Sequence, residues 1–297
     1  MRAARLAYVT SIPGKLPRIA RAFAANPALV ARALPGEFLQ KHLQQEPYTD
    51  ADWDESWYEH LHDLLGTPWP CPEADALQGL LADINALLAE KGLGTGRGTY
   101  GWYSDAESAL CSAMWCVVRH AQPEVVIETG VAHGVSSRVI LEACQLNDRG
   151  HLWSIDLPHP LDRSLHAQTG AAVTDACRPR WTYLEGESSR RLPPLVREVG
   201  RVQLFIHDSL HTAKNTLFEM EQAASVMSAG GVMLVDDIDS HAGFATFAER
   251  HPGYQTVICP SADRDGMFGI AVNTANTPGG TSGQDSSAEG SAGATRA

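Results

Sequence analysis

Positive charge is scarce in this chain, and it contains no long apolar run. Its 297 residues include 23 Lys and Arg against 35 Asp and Glu, for a formal net charge of −12. A general nucleic-acid binder needs a basic surface for phosphates, so the acidic balance argues against that class. No run approaches the roughly 18 apolar residues of a membrane span, and Arg, Lys and Pro interrupt residues 1–35. We therefore expect a cytoplasmic protein with no nucleic-acid or membrane partner.

Cysteine is also sparse, and neither Cys-x-x-Cys nor His-x-x-His, two common spacings of metal ligands, occurs. The 6 cysteines stand at positions 71, 111, 116, 144, 177 and 259. Cys111, Cys116 and Cys144 lie in apolar stretches with helical character. We interpret the cysteines as reduced core thiols rather than as a disulfide framework.

Composition divides the chain into three parts. Residues 1–100 have few strand signals, and helices are predicted at Ala20–Leu34 and Asp75–Lys91. We interpret this part as a helical N-terminal region that serves as a lid or as a surface for homo-oligomerisation. Residues 101–273 hold the strand signals and form the predicted main domain. Residues 274–297 contain almost no large apolar residues, so we expect this tail to be disordered.

Aromatic residues are concentrated near the end of the helical region. They are Trp53, Trp57, Tyr58 and Trp69. Two interpretations stay open, because such a cluster can pack against the main domain or cover a bound substrate as part of a lid.

Apolar runs and helical patterns alternate through the main domain. A helix is predicted over Ala106–Arg119, ahead of the first strand. Strands are predicted at 124–128, 151–155, 181–184, 202–206, 231–235, 254–259 and 267–273. Strands that alternate with helices indicate a mostly parallel sheet covered on both faces, which is a Rossmann-like α/β fold.

The connection between the first two strands is the most informative segment. The first strand ends at Glu128, and a turn with Gly130 and Gly134 leads into a helix that starts near Ser136. The second strand ends at Asp156. A unit of this kind places a ligand over the carboxyl ends of parallel strands. The terminal acid can accept hydrogen bonds from two ribose hydroxyls, so the segment predicts a nucleoside-bearing cofactor.

The spacing of the glycines separates this turn from two better-known phosphate-binding turns. A dinucleotide fold requires G-x-G-x-x-G, and this chain has Ala132 and Val135 at the second and third glycine positions. A Walker lysine is absent, because Ser136–Arg138 stand where Gly-Lys-Ser/Thr is needed. The turn therefore favours a cofactor that has no phosphate.

Three further acids follow two successive strands. Asp208 follows the fourth predicted strand, and a helix is predicted from Thr212 to Met227, with Gly230-Gly231 ending it. The fifth strand then runs into Asp236 and Asp237. Carboxylates from neighbouring strand ends can converge on one Mg²⁺ ion, which prefers oxygen ligands. Without a cation they would repel one another, so the pattern predicts a divalent metal.

Both segments resemble those of known methyltransferases. The glycine turn and its acid resemble motif I of class I S-adenosylmethionine (AdoMet) methyltransferases. The acids Asp208, Asp236 and Asp237 resemble the metal set of magnesium-dependent O-methyltransferases, such as catechol O-methyltransferase. The Asp-Asp pair is most similar to the macrocin O-methyltransferase group, which modifies sugars of natural products. The resemblance spans residues 101–273 and implies a seven-stranded class I methyltransferase sheet whose last strand is antiparallel.

The resemblance implies an AdoMet-dependent O-methyltransferase that acts on a hydroxyl of a small molecule, a sugar or natural-product scaffold, with the assistance of Mg²⁺. It assigns AdoMet binding to Glu128, Gly130, Gly134, Ser136, Asp156, Glu187 and Asp208, with Glu187 beside the adenine. It assigns Mg²⁺ to Asp208, Asp236 and Asp237. Asp208 is also counted as catalytic, and His211 is the preferred general base because an ordinary histidine has a pKa near neutrality.

Several points stay open. His207 and Ser209 stand where related proteins usually have an apolar residue and a glycine. His211 could order its loop without acting as a base. His207, His241 and His133 are weaker base candidates, and we expect His133 to shape the cofactor turn.

Three alternatives to the predicted activity are kept. One is a metal-independent small-molecule methyltransferase in which the acids only order loops. Another is a binding protein that keeps the fold without activity. The last is a metal-dependent hydroxylase using His207, Asp208 and His211, an assignment that the pair Asp236-Asp237 disfavours.

Overall fold

The computed structural model describes residues 46–101, 103–159 and 162–274. The predicted helix Ala20–Leu34 lies outside the described residues, as does the predicted disordered tail apart from its first residue. No helix in the described ranges has the length and apolar character that crossing a membrane requires.

Seven strands form one sheet, as predicted. They are β1 (Val125–Thr129), β2 (His151–Asp156), β3 (Trp181–Glu185), β4 (Val202–His207), β5 (Met227–Val235), β6 (Tyr254–Pro260) and β7 (Met267–Asn273). Their order is β3-β2-β1-β4-β5-β7-β6. The first five strands pair in parallel, whereas β7 is antiparallel to both of its neighbours. The predicted class I methyltransferase sheet is therefore confirmed.

Helices precede and connect the strands. They are α1 (Trp57–Leu65), α2 (Ala74–Glu90), α3 (Ser108–Ala121), α4 (Val135–Leu146), α5 (Ser188–Val199), α6 (Ala213–Ala224) and α7 (Gly243–Arg250), with short 3₁₀ turns at Arg163–Gln168 and Arg178–Arg180. The helices predicted at Asp75–Lys91 and Ala106–Arg119 agree with α2 and α3 apart from small shifts at their ends.

The helix predicted from Thr212 to Met227 was too long. Thr212 caps the helix through its hydroxyl, and α6 ends at Ala224. Met227 already pairs with Val202 in the sheet, and the register between β4 and β5 then shifts. Gly230, at φ 72°, lies within this irregular stretch of β5. The two glycines therefore accommodate a strand irregularity rather than a helix end.

Two apolar cores lie on opposite faces of the sheet. Helices α1 to α4 pack on one face and α5 to α7 on the other. Successive residues of β4, Leu204 and Phe205, belong to different cores because strand side chains alternate between faces. Burial on both faces is the main driving force for this three-layer arrangement. It also leaves the strand ends as the places where polar side chains can collect.

The aromatic residues of the helical region make the contacts expected of packing. Trp57 stacks on Tyr58 with ring centroids 4.9 Å apart and meets Phe268 of β7 edge-on at 5.2 Å. Tyr58 contacts Trp69 at 5.0 Å. Trp53 lies apart from these rings and packs against the second core. The described end of the helical region is thus docked on the main domain.

Candidate active site

The candidate site lies where the order of the strands reverses. β2 and β3 follow β1 on one side, whereas β4 and β5 extend from its other side. In open α/β sheets the crevice at such a switch point, outside the carboxyl ends of the strands, is where ligands bind. The predicted cofactor turn follows β1 and Asp208 follows β4, the two strands at the switch point, whereas Asp236 and Asp237 follow β5, the neighbour of β4.

The turn after β1 requires glycine at both predicted positions. Gly130 has φ 90°, and a Cβ atom there would lie 1.8 Å from the backbone oxygen of Asp208. Gly134 has φ 83° and stands directly before α4, with its amide donating to the Val131 carbonyl at 2.7 Å. Only glycine adopts these conformations without strain. The turn therefore passes directly over the Asp208 loop.

Asp156 faces the same turn from the end of β2. Its Oδ2 atom accepts hydrogen bonds from the amides of Val131 at 3.2 Å and Ala132 at 3.3 Å. Burial, with a smaller contribution from the charge of Asp208, raises the pKa of Asp156 to about 7, although the backbone hydrogen bonds lower it. The structure thus places a carboxylate acceptor beside the turn, as the motif predicts.

Glu128 supports the turn from below. Its side chain is fully buried and accepts hydrogen bonds from the hydroxyls of Ser136 at 2.5 Å, Ser137 at 2.6 Å and Ser154 at 2.7 Å. Burial raises its pKa to about 7 in spite of these hydrogen bonds. Glu128 and Ser136 therefore fix the start of α4 against the sheet. Their direct contact with a cofactor stays a prediction.

Glu187 stands beside Asp156, on the loop before α5. The amide of Gly186 donates to the Asp156 carbonyl at 2.8 Å, which ties the two loops together. The Glu187 carboxylate lies 3.6 Å from the Arg190 guanidinium and 3.3 Å from the Ser189 hydroxyl. Its location is compatible with the predicted adenine contact, which stays a prediction.

Asp208 and Asp236 meet at the ends of β4 and β5. Asp208 donates its amide to the Thr129 carbonyl at 2.9 Å, and Asp236 donates its amide to the His207 carbonyl at 2.9 Å. Oxygen atoms of both acids and a ring nitrogen of His211 all lie within 4.8 Å of one another. Burial and the charges of Asp208 and Asp237 raise the pKa of Asp236 well above its usual value. A bound cation would stabilise the ionised form of Asp236.

His211 joins this group, and Asp237 holds it there. The Asp237 carboxylate hydrogen-bonds Nδ1 of His211. Nε2 is buried, lies 3.4 Å from Oδ1 of Asp208, and has no aligned hydrogen-bond partner among the described residues. Burial alone would lower the pKa of His211, but the nearby carboxylates of Asp208 and Asp237 outweigh burial and raise it well above 6.5.

The metal set of Asp208, Asp236 and Asp237 stays a prediction, and the group whose ligand atoms converge in the structure is Asp208, His211 and Asp236, without Asp237. Oδ2 of Asp237 is hydrogen-bonded to Nδ1 of His211. The φ angle of Asp237 is 54°, and this left-handed conformation turns the chain directly after Asp236. His211, which the sequence suggested as a base, lies among the candidate ligands. Its role as a base also stays a prediction.

His207 and Ser209, the two departures from the related pattern, share one buried partner. Glu219 of α6 accepts from His207 Nδ1 at 2.6 Å and from the Ser209 hydroxyl at 2.8 Å. It also accepts from the Thr129 hydroxyl at 2.6 Å. Burial alone would raise the pKa of Glu219, but the charge and hydrogen bond of His207 lower it to about 2. This network fixes the residues on both sides of Asp208.

The remaining histidines are engaged elsewhere. His241 is buried, its pKa is lowered to about 4 chiefly by burial, and it contacts the Thr216 hydroxyl at 3.1 Å. His133 lies inside the cofactor turn, where its Nδ1 atom is 3.0 Å from Asp105. Asp105 also accepts from the His133 amide at 3.3 Å, so it helps to shape the turn. Sequence reasoning missed Asp105, because nothing in the residues before α3 indicates which turn they reach.

Comparison with known proteins supports this architecture. Residues 127–238, less than half of the chain, match the model of a methyltransferase domain family. The O-methyltransferase TomG from Streptomyces achromogenes, involved in tomaymycin synthesis and solved with SAM, is similar in structure at 16% identity and a TM-score of 0.50, over 66% of this chain and 89% of that one. A cofactor-bound protein from MTB is similar at 18% identity and a TM-score of 0.50, over 70% and 99%. No curated protein sequence matches the chain.

The domain match confirms the predicted enzyme class at a general level. The matched region lies in the seven-stranded sheet that the sequence predicted, and the solved structures share this fold. The matched residues include the cofactor turn, Asp156, Asp208 and the pair Asp236-Asp237.

Proposed function

We propose that this protein transfers a methyl group from AdoMet to a hydroxyl group of a small molecule, a sugar or natural-product scaffold, with the assistance of Mg²⁺. The observation that carries the proposal is the meeting of two groups at one crevice. Asp156 faces the glycine turn on one side, and Asp208, His211 and Asp236 converge on the other.

The residues at the turn suit a nucleoside cofactor with a positive charge. The carboxylate of Asp156 can accept hydrogen bonds from the two ribose hydroxyls, and Glu187 stands on the neighbouring loop. The backbone of Asp208 lies against Gly130, and its negative charge is close enough to contribute to the raised pKa of Asp156. AdoMet, when bound, supplies a methyl group on a positively charged sulfur atom, and an acidic crevice favours that charge.

The convergent acids suit a hard divalent cation. Asp208 and Asp236 present oxygen ligands, the type that Mg²⁺ prefers. A divalent cation held there would lower the pKa of an acceptor hydroxyl and orient it. Burial, followed by the charges of Asp208 and Asp237, raises the pKa of Asp236, and a bound cation would offset both effects.

His211 is suited to receive the proton of the acceptor hydroxyl at Nε2. Asp237 fixes the opposite nitrogen, Nδ1, and so orients the ring. Nε2 lies 3.4 Å from Oδ1 of Asp208, on the side of the ring that faces the catalytic acids.

Binding measurements test the cofactor half of the proposal. By calorimetry, AdoMet and its demethylated product should bind at micromolar Kd, and NAD⁺ should bind far more weakly. Asp156→Asn should weaken AdoMet binding by about 1–3 kcal/mol, because the ribose hydroxyls lose a charged acceptor. Asp263→Asn, which changes an exposed acid on another loop, is the matched control and should leave Kd unchanged. Binding of NAD⁺ with no heat from AdoMet would contradict the proposal.

An activity assay tests the metal half. Candidate acceptors are incubated with labelled AdoMet, with and without EDTA, and Mg²⁺ or Mn²⁺ is then restored. Activity should disappear in EDTA and return with the metal. Asp236→Asn should lower kcat far more than it changes the Kd of AdoMet. Full activity in EDTA would support the metal-independent alternative, and AdoMet binding without turnover of any acceptor would support a binding protein.

A further inference from the structure

A second group of metal-binding side chains lies apart from the catalytic acids. It consists of His62 on α1, Cys71 on the segment between α1 and α2, and Cys116 and His120 on α3. One ligand atom from each residue lies within 4.8 Å of all the others. Cys116 and His120 are four residues apart on a helix, so they share one face. We call these four residues the Cys-His cluster.

The distances within the cluster fit a tetrahedral ion. Cys116 Sγ lies 3.2 Å from His62 Nε2, and Cys71 Sγ lies 3.6 Å from His120 Nε2. In a tetrahedral zinc site, with Zn–S bonds of about 2.3 Å and Zn–N bonds of about 2.0–2.1 Å, a sulfur and a nitrogen are separated by about 3.5 Å. The observed pairs therefore have the spacing of two edges of such a tetrahedron.

The surroundings orient the ligands. The Thr67 hydroxyl lies 3.0 Å from Nδ1 of His62, so Nε2 of the same ring is directed to Cys116. A partner on the second ring nitrogen is the usual support of a metal-binding histidine. Trp69 and Tyr58 flank the His62 ring at 5.3 Å and 5.4 Å. The cluster is thus buried on most sides, and only His120 is part-exposed.

We propose that the Cys-His cluster binds one zinc ion that links α1 and the Cys71 segment to α3. Two cysteines and two histidines complete a tetrahedral set without a free position, which is typical of a structural rather than a catalytic zinc site. Two thiolates and two neutral imidazoles also balance the charge of a divalent ion in a buried place. Soft thiolate ligands favour zinc over Mg²⁺.

The location supports a structural role independent of the proposed methyl transfer. α3 ends at Ala121, just before β1 begins at Val125, so His120 lies near the amino end of β1. The cofactor turn follows the carboxyl end of the same strand. All four ligands also lie outside residues 127–238, the part that matches the methyltransferase domain. The zinc ion would therefore fasten the helical region to the domain and not touch the reaction.

Metal analysis of the full-length protein, purified without chelators, tests the proposal. One zinc ion per chain is expected. After exchange with Co²⁺, the visible absorption of a thiolate-bound tetrahedral cobalt ion should appear at one equivalent. Cys71→Ser and Cys116→Ser should abolish that absorption. Cys144→Ser, which removes a buried thiol elsewhere in the same core, is the matched control and should keep it.

Two further variants separate the possible sites and guard against misfolding. Asp236→Asn should keep the cobalt absorption, because carboxylates of the catalytic group are not part of the cluster. If the cysteine variants do not fold, His120→Asn and the cobalt titration of the wild-type chain decide the matter. Added zinc should raise the Tm of chelator-treated wild type and not that of Cys71→Ser.

Other results would overturn the proposal. One is wild-type protein that holds no zinc and gives no thiolate–cobalt absorption. A second is a disulfide between Cys71 and Cys116 in the freshly purified protein. A third is zinc that is lost in Asp236→Asn and retained in Cys116→Ser, because the ion would then belong to the catalytic acids.

Discussion

At the scale of single residues, most of the chemistry depends on buried carboxylates with unequal pKa values. Glu128 and Asp156 have pKa values raised to about 7, whereas Glu219 has a pKa lowered to about 2 by its contact with His207. Burial raises the pKa of a carboxyl, whereas hydrogen bonds to its ionised form and nearby positive charge lower it. Burial prevails at Glu128 and Asp156, and the contact with His207 prevails at Glu219.

Replacing Glu128 should change how stability depends on pH. Its pKa is raised from 4.5 to about 7 in the folded protein. The folded state therefore retains a proton between these values that the unfolded state loses, and this contribution to stability is lost as pH rises from about 4.5 to 7. Over that window the unfolding free energy of wild type should fall, relative to Glu128→Gln, by on the order of 3 kcal/mol.

Urea unfolding of both proteins at several pH values, without AdoMet, provides the measurement. Glu124→Gln, which alters an exposed acid just ahead of β1, is the control and should follow wild type. A constant difference between wild type and Glu128→Gln at every pH would show that Glu128 is ionised throughout.

Replacing His211 should separate catalysis from cofactor binding. His211→Asn should lower kcat by about 10²–10⁴-fold if Nε2 receives the proton, while the Kd of AdoMet changes little. The kcat of wild type should climb with pH as the His211 ring loses its proton and becomes able to act as a base. The loss in the variant should shrink at high pH, where hydroxide replaces the base. Wild-type kcat across the pH range would mean that His211 only orders its loop.

At the scale of elements, the turn after β1 and the loop after β4 act as one unit. Gly130 touches the backbone of Asp208 so closely that no side chain fits between them. The Asp208 amide donates to the Thr129 carbonyl at 2.9 Å, which extends the pairing of β4 with β1 beyond the end of β4. The cofactor turn and the loop of Asp208 therefore position each other, so displacing one of them should displace the other.

Adding one methyl group to this turn should test that coupling. In Gly130→Ala the Cβ would lie 1.8 Å from the Asp208 oxygen, and the residue φ is 90°. Strain of this kind costs about 1–3 kcal/mol, and displacement of the loop should weaken AdoMet binding as well. Gly200→Ala is the matched control, because Gly200 has φ 66° but nothing within 4 Å of its added Cβ.

Thermal melts and AdoMet titrations of the two variants decide between strain alone and coupling. Gly200→Ala should lower Tm and leave the Kd of AdoMet unchanged. Gly130→Ala should lower Tm and raise Kd together. Equal effects of both variants on Kd would contradict the coupling of the two loops.

At the scale of the whole molecule, the described residues are held together by a sheet whose two faces are both covered by helices. Helices α1 to α4 and α5 to α7 bury separate cores on its two faces. The described end of the helical region belongs to the first of these cores through Leu61, Leu77 and Ile84. The role of the helical region as a lid or as a surface for homo-oligomerisation stays a prediction.

Removing residues 275–297 should leave the protein unchanged in stability and binding. The segment is rich in Gly, Ser, Thr and Ala and has almost no large apolar side chain. Such a sequence cannot bury enough apolar surface to offset the entropy lost on ordering. The truncated chain should keep the Tm and the AdoMet affinity of the full chain, measured by calorimetry. A decrease of several degrees would show that the tail docks.

Much of the fold was predictable because the signals are local. Apolar runs located all seven strands, and the pattern from Glu128 to Asp156 located the cofactor turn. The boundary between α6 and β5 was not predictable, since Met227 continues the helical spacing while its pairing with Val202 is a contact across the sheet. Helical spacing is judged from residues that are close in sequence. It therefore contains no information about a strand that would pair with Met227 instead of letting the helix continue.

The residue pattern was enough to predict the order of strands and helices along the chain, the glycines of the turn, and which acids follow which strands. The side-chain partners became known only from the folded chain: Glu219 with His207 and Ser209, Asp237 with His211, Asp105 with His133, and the Cys-His cluster. His62 and His120 are far apart in the chain and come together because α1 packs on α3. Secondary structure depends largely on residues that are close in sequence, whereas side-chain contacts between elements depend on how the helices pack on the sheet.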